Sequence, residues 1–188
     1  MVALAILAGA VILVKRSRGG IEGISSGNSS QSSNDNTAIA AGKQLSNNNC
    51  KGEGPGTLTR LPMDQDDYSM ILPYGLVIGG HVTPIDHQYF SPIVFNSPRD
   101  TYPVYAMADS TIVDIQPRTT DRGTEYRFVF TMTCTFLYYY DLVTSLTPEL
   151  KTALDNRRFN IDVKAGDLVG KIGGQTLDFA VWDTTKPL

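Results

Sequence analysis

The sequence predicts an all-β domain, in which two antiparallel sheets form a β-sandwich or barrel with one short helix. Beyond residue 50, Val, Ile, Thr, Tyr and Phe are plentiful, whereas blocks of the helix-forming residues Ala, Leu, Glu and Lys are scarce. Short apolar segments alternate with turns that contain glycine or proline. Ahead of this domain we expect a membrane segment and a disordered linker.

Length and charge limit the classes of function. A chain of 188 residues fits one domain with appendages. With 16 basic and 19 acidic residues, the formal net charge is −3, which offers no electrostatic footprint for nucleic acid. We therefore expect no nucleic-acid partner.

Residues 1–16 are interpreted as a hydrophobic signal or anchor segment. The run from Val2 to Val14 is apolar or small and is followed by Lys15, Arg16 and Arg18. As a helix it would rise about 20 Å, less than the roughly 30 Å hydrocarbon core, so it suits a signal-peptide core or an anchor whose start is missing. A buried core helix is the alternative. Basic residues after the run would place the remainder in the cytoplasm, yet the downstream domain suggests an extracytoplasmic location, and the orientation stays open.

Residues 17–49 are predicted to be a disordered linker rich in Ser, Asn and Gly, because they show no hydrophobic periodicity. The folded domain is assigned to residues 50–188. It ends soon after Asp183, and we expect a C-terminal continuation to be missing. The protein is therefore expected to be membrane-anchored or secreted, on the extracytoplasmic side.

The two cysteines, Cys50 and Cys134, leave two alternatives open. In an exported protein they would form one disulfide, and two free thiols are as compatible with the sequence. A zinc site built from these cysteines has little support, because the chain contains no Cys-x-x-Cys pair.

The first half of the domain contains two strong strand signals. Residues 102–115 read as two short strands around Asp109-Ser110, which predicts a β-hairpin. Residues 125–140 alternate aromatic and polar side chains, which predicts a pair of strands or one long bulged strand.

The second half begins with the only helix signal. Thr147 is a hydroxyl cap, Pro148 takes the first helical position and Glu149 lies in the first turn, so a helix is predicted to about Arg157. Residues 163–174 then predict a glycine-turned strand, and residues 177–182 a final strand.

The order of the segments PVYAMADSTIVDI, YRFVFTMTCTFLYYYDLVTSL, VKAGDLVGKIGG and LDFAVWD resembles the lysostaphin-type zinc endopeptidases over residues 75–183. The resemblance implies a duplicated hybrid motif, or barrel-sandwich hybrid, and enzymes of this family cut peptide cross-links of bacterial cell walls. A lipoyl or biotin carrier, which has a similar glycine turn, would need a lysine at a hairpin tip, and Ala106-Met107-Ala108-Asp109 offers none.

The catalytic motifs implied by this resemblance are degenerate. The family takes zinc ligands from an early His-x-x-x-Asp and the second histidine of a late His-x-His, whose first histidine assists the chemistry. The late pair aligns with Thr176 and Asp178. A second assisting histidine aligns with Asp141. In the early stretch, His81 and Asp86 are one residue too far apart, and ungapped alignment places Thr83 and His87 at the ligand positions.

A metal, zinc in the first instance, could still be held by His87, Asp178 and either Asp86 or Asp141. His87 as a hydrogen-bonded histidine beside a turn, with Asp86 as a turn residue, is the structural alternative. Asp178 alternates with Leu177 and Phe179, so it would face solvent or the groove. We expect the groove to include His81, Thr83, Thr176 and Tyr140.

Three classes of function are compatible with these observations. The first is a non-catalytic module that binds cell-wall glycan, cell-wall peptide or an envelope protein in a hydrolase-like groove. The second is a metal-dependent cell-wall endopeptidase with the altered ligand set. The third is a structural envelope protein whose groove binds nothing.

Overall fold

A computed structural model describes residues 49–77 and 84–186. The hydrophobic segment 1–16, almost all of the linker 17–49, His81 and Thr83 lie outside the described residues. Within the described ranges, no helix is long and apolar enough to cross a membrane.

The described chain forms two antiparallel sheets that do not close into a barrel. In chain order its strands are β1 (Tyr68–Leu72), β2 (Gln88–Pro92), β3 (Tyr102–Tyr105), β4 (Ser110–Thr120), β5 (Gly123–Thr131), β6 (Phe136–Val143), β7 (Ser145–Leu146), β8 (Ile161–Val163), β9 (Leu168–Ile172) and β10 (Leu177–Asp183). Helix α1 (Pro148–Asp155) joins β7 to β8, and a short 3₁₀ turn (Gln65–Asp67) precedes β1. This confirms the predicted fold class of two antiparallel sheets with one short α-helix.

The larger sheet has seven strands in the order β1-β2-β10-β6-β5-β4-β8, and the smaller has three in the order β3-β9-β7. The last long strand, β10, is thus inserted between β2 and β6. Its register places Asp178 opposite Tyr89 of β2 on one side and opposite Asp141 of β6 on the other. Residues distant in sequence therefore meet in the middle of the large sheet.

The core lies between the two sheets and is rich in aromatic rings. Phe130 stacks on Tyr138 with ring centroids 4.4 Å apart, and both side chains are fully buried. Aromatic pairs of this kind add about 1 kcal/mol beyond the burial of their area. The sequence of residues 125–140 predicted either a pair of strands or one long bulged strand. The structure shows the pair, because β5 and β6 are separate antiparallel strands.

The opposite face of the large sheet, called the outer face here, has a second cluster of buried residues, formed by Val113, Val129, Leu137, Tyr139 and Ala180. Because side chains alternate along a strand, the residues flanking these positions point into the core. Leu177 and Phe179, for example, belong to the core cluster, as the alternation around Asp178 predicted.

Helix α1 begins as its sequence signal predicts. The Thr147 side chain accepts a hydrogen bond from the backbone N–H of Leu150, and Pro148 opens the helix. Leu150 and Ala153 are its buried residues. The cap and the proline together fix the start of the helix, since they satisfy or remove N–H groups that have no partner within a helix.

The predicted hairpin over residues 102–115 is wrong. Its two halves belong to different sheets, because β3 pairs with β9 while β4 pairs with β5 and β8. The segment around Asp109 crosses from one sheet to the other. Val104 and Ile112 are both fully buried. Two apolar strands of this kind look the same in the sequence whether they form a hairpin or belong to different sheets.

A disulfide joins Cys50 to Cys134, with Cα atoms 4.9 Å apart. Backbone hydrogen bonds run alongside it, from the Cys134 N–H to the Gly52 carbonyl and from the Gly54 N–H to the Thr135 hydroxyl oxygen. The start of the domain is thereby fixed to the turn between β5 and β6.

Candidate functional site

The candidate site lies on the outer face, where β2, β10 and β6 run side by side. His87 immediately precedes β2, and its ring contacts the Tyr89 ring edge-to-face at 4.6 Å. Its Nε2 approaches Asp178 Oδ2 on β10 at 3.5 Å, while its Nδ1 is hydrogen-bonded to Asp86 Oδ1 at 2.7 Å. The structure therefore brings Asp86, His87 and Asp178 into one Asp–His–Asp chain.

The His87–Asp178 pair is half-buried, and its hydrogen-bonding capacity is not fully used. The side chains are 17% and 14% exposed, and His87 Nε2 has no hydrogen-bond partner among the described residues. Asp178 Oδ1 accepts a hydrogen bond from Thr176 Oγ1 at 3.0 Å. Thr176 therefore lies next to Asp178 and orients its carboxyl group.

Burial has a large effect on Asp178. Desolvation raises the pKa of this carboxyl from 3.8 to about 7, and the Asp141 charge adds to the increase, whereas the Thr176 hydrogen bond and His87 oppose it. The exposed carboxyl of Asp86 differs, because its hydrogen bond with His87 lowers its pKa. Asp178 can thus keep a proton close to neutral pH.

Asp141 lies directly opposite Asp178 but belongs to a different network. Its Oδ1 accepts from Arg118 Nη2 at 3.1 Å and from the Leu142 backbone N–H at 2.8 Å. Its Oδ2 accepts from Arg127 Nε at 3.0 Å and Nη2 at 2.6 Å. A carboxylate offers about four lone-pair sites, so these contacts leave it little capacity for another partner.

The four residues considered as metal ligands do not surround one point. Asp86 and Asp178 contact opposite nitrogens of His87, so one ion at Nε2 cannot also bind Asp86. Asp141 is bound by the two arginines. Within the described part of the chain, no group of three or more His, Cys, Asp and Glu side chains is arranged to hold a metal. The described residues therefore do not fit a three-ligand zinc site.

The expectation that Tyr140 lines the groove is wrong. Tyr140 is fully buried on the core face, and its hydroxyl donates to the Tyr105 carbonyl at 2.7 Å. Burial raises its pKa well above the usual value. Of the three consecutive tyrosines, only Tyr139 points to the outer face, where its ring lies 5.0 Å from the half-exposed Trp182.

Sequence reasoning missed the arginines. Arg127 bonds Asp141 and lies over the Tyr139 ring at 4.9 Å. Arg118 reaches both Asp141 and Glu125, a carboxylate with a side chain only 1% exposed. The available signal was the alternation of Glu125 and Arg127 on β5, which puts both on the face that carries Asp141.

A cavity of about 320 Å³ lies elsewhere, at the edge formed by β4 and β8. It is lined by Cys50, Asp109, Thr131, Asp162 and Lys164, among others, and contains none of the metal or groove residues considered above.

Comparison with known proteins gives structural similarity alone. No family model matches the chain, and no curated protein matches it. Among solved structures, it is similar to Csd3 of Helicobacter pylori (15% identity, TM-score 0.47, 71% of this chain and 33% of that one). It is also similar to a zinc-containing peptidase from Vibrio cholerae (18%, 0.47, 71% and 39%) and a candidate M23 peptidase from Pseudomonas aeruginosa (16%, 0.41, 84% and 60%).

The chain thus spans about a third of the length of the first two of these proteins. The similarity is to solved structures of which two are described as peptidases. At these TM-scores and identities it says nothing about activity, metal or substrate in this chain.

Proposed function

We propose that the domain is a peptidase-like module of the cell envelope that binds cell-wall peptide on the outer face of its large sheet and does not cleave it. One observation carries the proposal: Asp141, where the resemblance expects an assisting histidine, has both oxygens engaged by Arg118, Arg127 and a backbone N–H. A general acid or base must be free to exchange a proton with the reacting group. Asp141 cannot do so without losing these hydrogen bonds.

The surface around Asp141 supports a binding role. Half-exposed arginines and the Trp182–Tyr139 pair lie on the same face of the sheet as Asp178. Guanidinium groups and aromatic rings are the side chains that most often dominate binding surfaces. An extended peptide along this face would meet hydrogen-bonding, charged and aromatic groups together.

The test is sedimentation of the chain with purified, insoluble peptidoglycan. We expect the wild type to co-sediment, and Asp178→Asn combined with His87→Gln to reduce the bound fraction at least about tenfold. Asp155→Asn, on the exposed surface of α1, is the control for the loss of one carboxylate. Equal retention of the double variant and the wild type would refute a role for this site.

A second candidate is a metal-dependent endopeptidase that would take further ligands from outside the described residues, and a different observation favours it. Asp86 holds His87 Nδ1, and Nε2 is left buried without a hydrogen-bond partner among the described residues. Carboxylates commonly orient metal-binding histidines in this way. Elemental mass spectrometry of the protein incubated with zinc tests it: near-stoichiometric zinc that His87→Gln abolishes would favour this candidate over the binding module.

We further propose an extracytoplasmic location, with residues 1–16 as the membrane attachment. The disulfide between Cys50 and Cys134 supports this, because disulfides persist in oxidising compartments. Thiol labelling of the protein from acid-quenched cells is expected to find both cysteines blocked until a reductant is added. Quantitative labelling without reductant would argue against that location.

A further inference from the structure

We infer that Arg118, Arg122 and Arg127 form a subsite for a carboxylate, such as the C-terminal carboxylate of a bound peptide. This inference rests on the proposed function and specifies the chemistry that the outer face recognises. The three arginines and the two buried carboxylates beneath them, Asp141 and Glu125, are called the arginine cluster below.

Asp141 holds two of the guanidinium groups by hydrogen bonds, and Glu125 lies within ion-pair distance of Arg118 and Arg122. Asp141 accepts from Arg118 and Arg127, and Glu125 lies 3.7 Å from Arg118 Nη2 and 3.4 Å from Arg122 Nε. The Glu125 and Asp141 side chains are only 1% and 7% exposed. The buried anion on β6 therefore orients Arg118 and Arg127 by hydrogen bonds, and the buried anion on β5 attracts Arg118 and Arg122, whereas the three cations are themselves 38–56% exposed.

The loop that carries Arg122 is also fixed. Arg99 donates to the carbonyl oxygens of Arg122 at 2.7 Å, Thr124 at 2.5 Å and Thr144 at 2.7 Å. Gln175 donates to Glu125 Oε1 at 2.5 Å. Binding an anion at a prearranged site costs less conformational entropy than ordering long side chains on association.

The cluster has a surplus of positive charge and of donors. Within the cluster itself, three guanidinium groups face two carboxylates, a formal charge of +1, and Arg118 and Arg127 also interact with the charges of Asp178 and Asp86. Among the described residues, Arg118 donates one side-chain hydrogen bond, through Nη2, and the Arg122 side chain donates none. A guanidinium group has five N–H donors in a planar fork that matches a carboxylate. The surplus therefore matches one monoanion.

The position fits a peptide that also reaches the His87–Asp178 pair. Asp178 and Asp141 are opposite each other on neighbouring strands, and Arg127 comes from the next strand, β5. At a strand spacing of about 4.8 Å, the backbone of β5, which carries Arg127, lies roughly 10 Å from that of β10, which carries Asp178. About three residues of extended chain cover that distance. The carboxylate would thus mark the end of a short peptide segment crossing the sheet.

The experiment compares acetyl-tetra-alanine with a free C-terminal carboxylate and the same peptide as its C-terminal amide, by titration calorimetry on the full chain. We expect the acid to bind at least about tenfold more tightly than the amide. Arg122→Gln, at the most exposed of the three arginines, is expected to remove this preference, and so is Arg118→Gln. Arg158→Gln, in an exposed segment after α1, is the charge-matched control.

Three outcomes would overturn the inference: equal binding of acid and amide, retention of the preference in both arginine variants, or binding of inorganic phosphate as tight as that of the acid. Peptidoglycan sedimentation of the same variants separates the two proposals. If the wild type still sediments and the His87/Asp178 double variant does not, the proposed function stands although the carboxylate subsite fails. If the wild type does not sediment, the proposed function fails.

Discussion

Two aspartates on the outer face, Asp141 and Asp178, are paired across neighbouring strands but have opposite environments. Asp141 accepts four hydrogen bonds, three of them from arginines. Asp178 accepts one from Thr176 and has His87 Nε2 at 3.5 Å, and burial raises its pKa to about 7. Both side chains are nearly buried.

The difference shows that the strand position and the residue type do not determine a carboxylate's role. Compensation by nearby cations fixes Asp141 as a structural anion. Asp178 lacks such cations in direct contact and keeps a proton that can exchange. The two regions therefore divide the outer face into the arginine cluster and a polar pair with unused hydrogen-bonding capacity.

We expect the largest effect on stability from replacing Asp141, which accepts more hydrogen bonds than Asp178. Asp141→Ala is expected to lower the free energy of unfolding by about 3 kcal/mol, because Arg118 and Arg127 lose their buried partner and can only partly rehydrate. Urea denaturation at pH 7 measures it. A loss of unfolding free energy below about 1 kcal/mol would mean that Asp141 does not hold Arg118 and Arg127 in place.

The second prediction concerns pH. Since Asp178 has a raised pKa in the folded state, its proton is retained after the unfolded state has lost its own, so stability falls as the pH rises from about 4 to about 7. Asp178→Asn, which mimics the protonated form, is expected to be more stable than the wild type by at least about 2 kcal/mol at pH 8 and equal to it at pH 4. A difference independent of pH would contradict the raised pKa.

A smaller effect is expected at Thr176. Thr176→Val removes the hydrogen bond that favours the charged form of Asp178. The pKa of Asp178 should then rise further, and stability at pH 8 should fall by about 1 kcal/mol. An NMR titration of the Asp178 carboxyl carbon measures the direction. An unchanged or lower pKa would show that the hydroxyl does not stabilise the carboxylate.

The smallest effect on stability is expected at the rim of the arginine cluster. Arg122 is 56% exposed and 3.4 Å from Glu125, so Arg122→Gln should change the free energy of unfolding by less than about 1 kcal/mol. Thermal unfolding of this variant and of Arg158→Gln provides the comparison. A loss of stability as large as that of Asp141→Ala would show that Arg122 is needed for folding. Weaker peptide binding by Arg122→Gln could then result from unfolding and would not report on the carboxylate subsite.

Local patterns made much of the fold predictable. The cap formed by Thr147 and Pro148 and the alternation around Phe128 depend on neighbouring residues, and these elements appear where the sequence predicts them. Strands β1 and β2 were not predicted, because they are short and β1 exposes Met70 and Ile71 on the sheet's edge. The false hairpin has the same origin: two buried apolar strands give no sign of the sheet to which each belongs.

The candidate site was predictable in part. Thr176, Asp178, Asp86 and His87 are neighbours in the fold, as the resemblance implied. Tyr140 was assigned to the groove, but consecutive side chains of a strand point to opposite faces. Tyr138 and Tyr140 therefore share the core face, and Tyr139 lies on the outer face. The partners of Asp141 depend on the pairing of β4, β5 and β6, which no local pattern specifies.

The central claim is that this domain binds cell-wall peptide without cutting it. The most direct measurement is mass spectrometry of the soluble products after prolonged incubation of the chain with peptidoglycan, in parallel with and without added zinc. If the domain binds without cleaving, the protein will sediment with the wall, and the amount of soluble peptide fragments will not exceed that in a protein-free control. Zinc-dependent fragments that disappear with His87→Gln would contradict it and identify an endopeptidase.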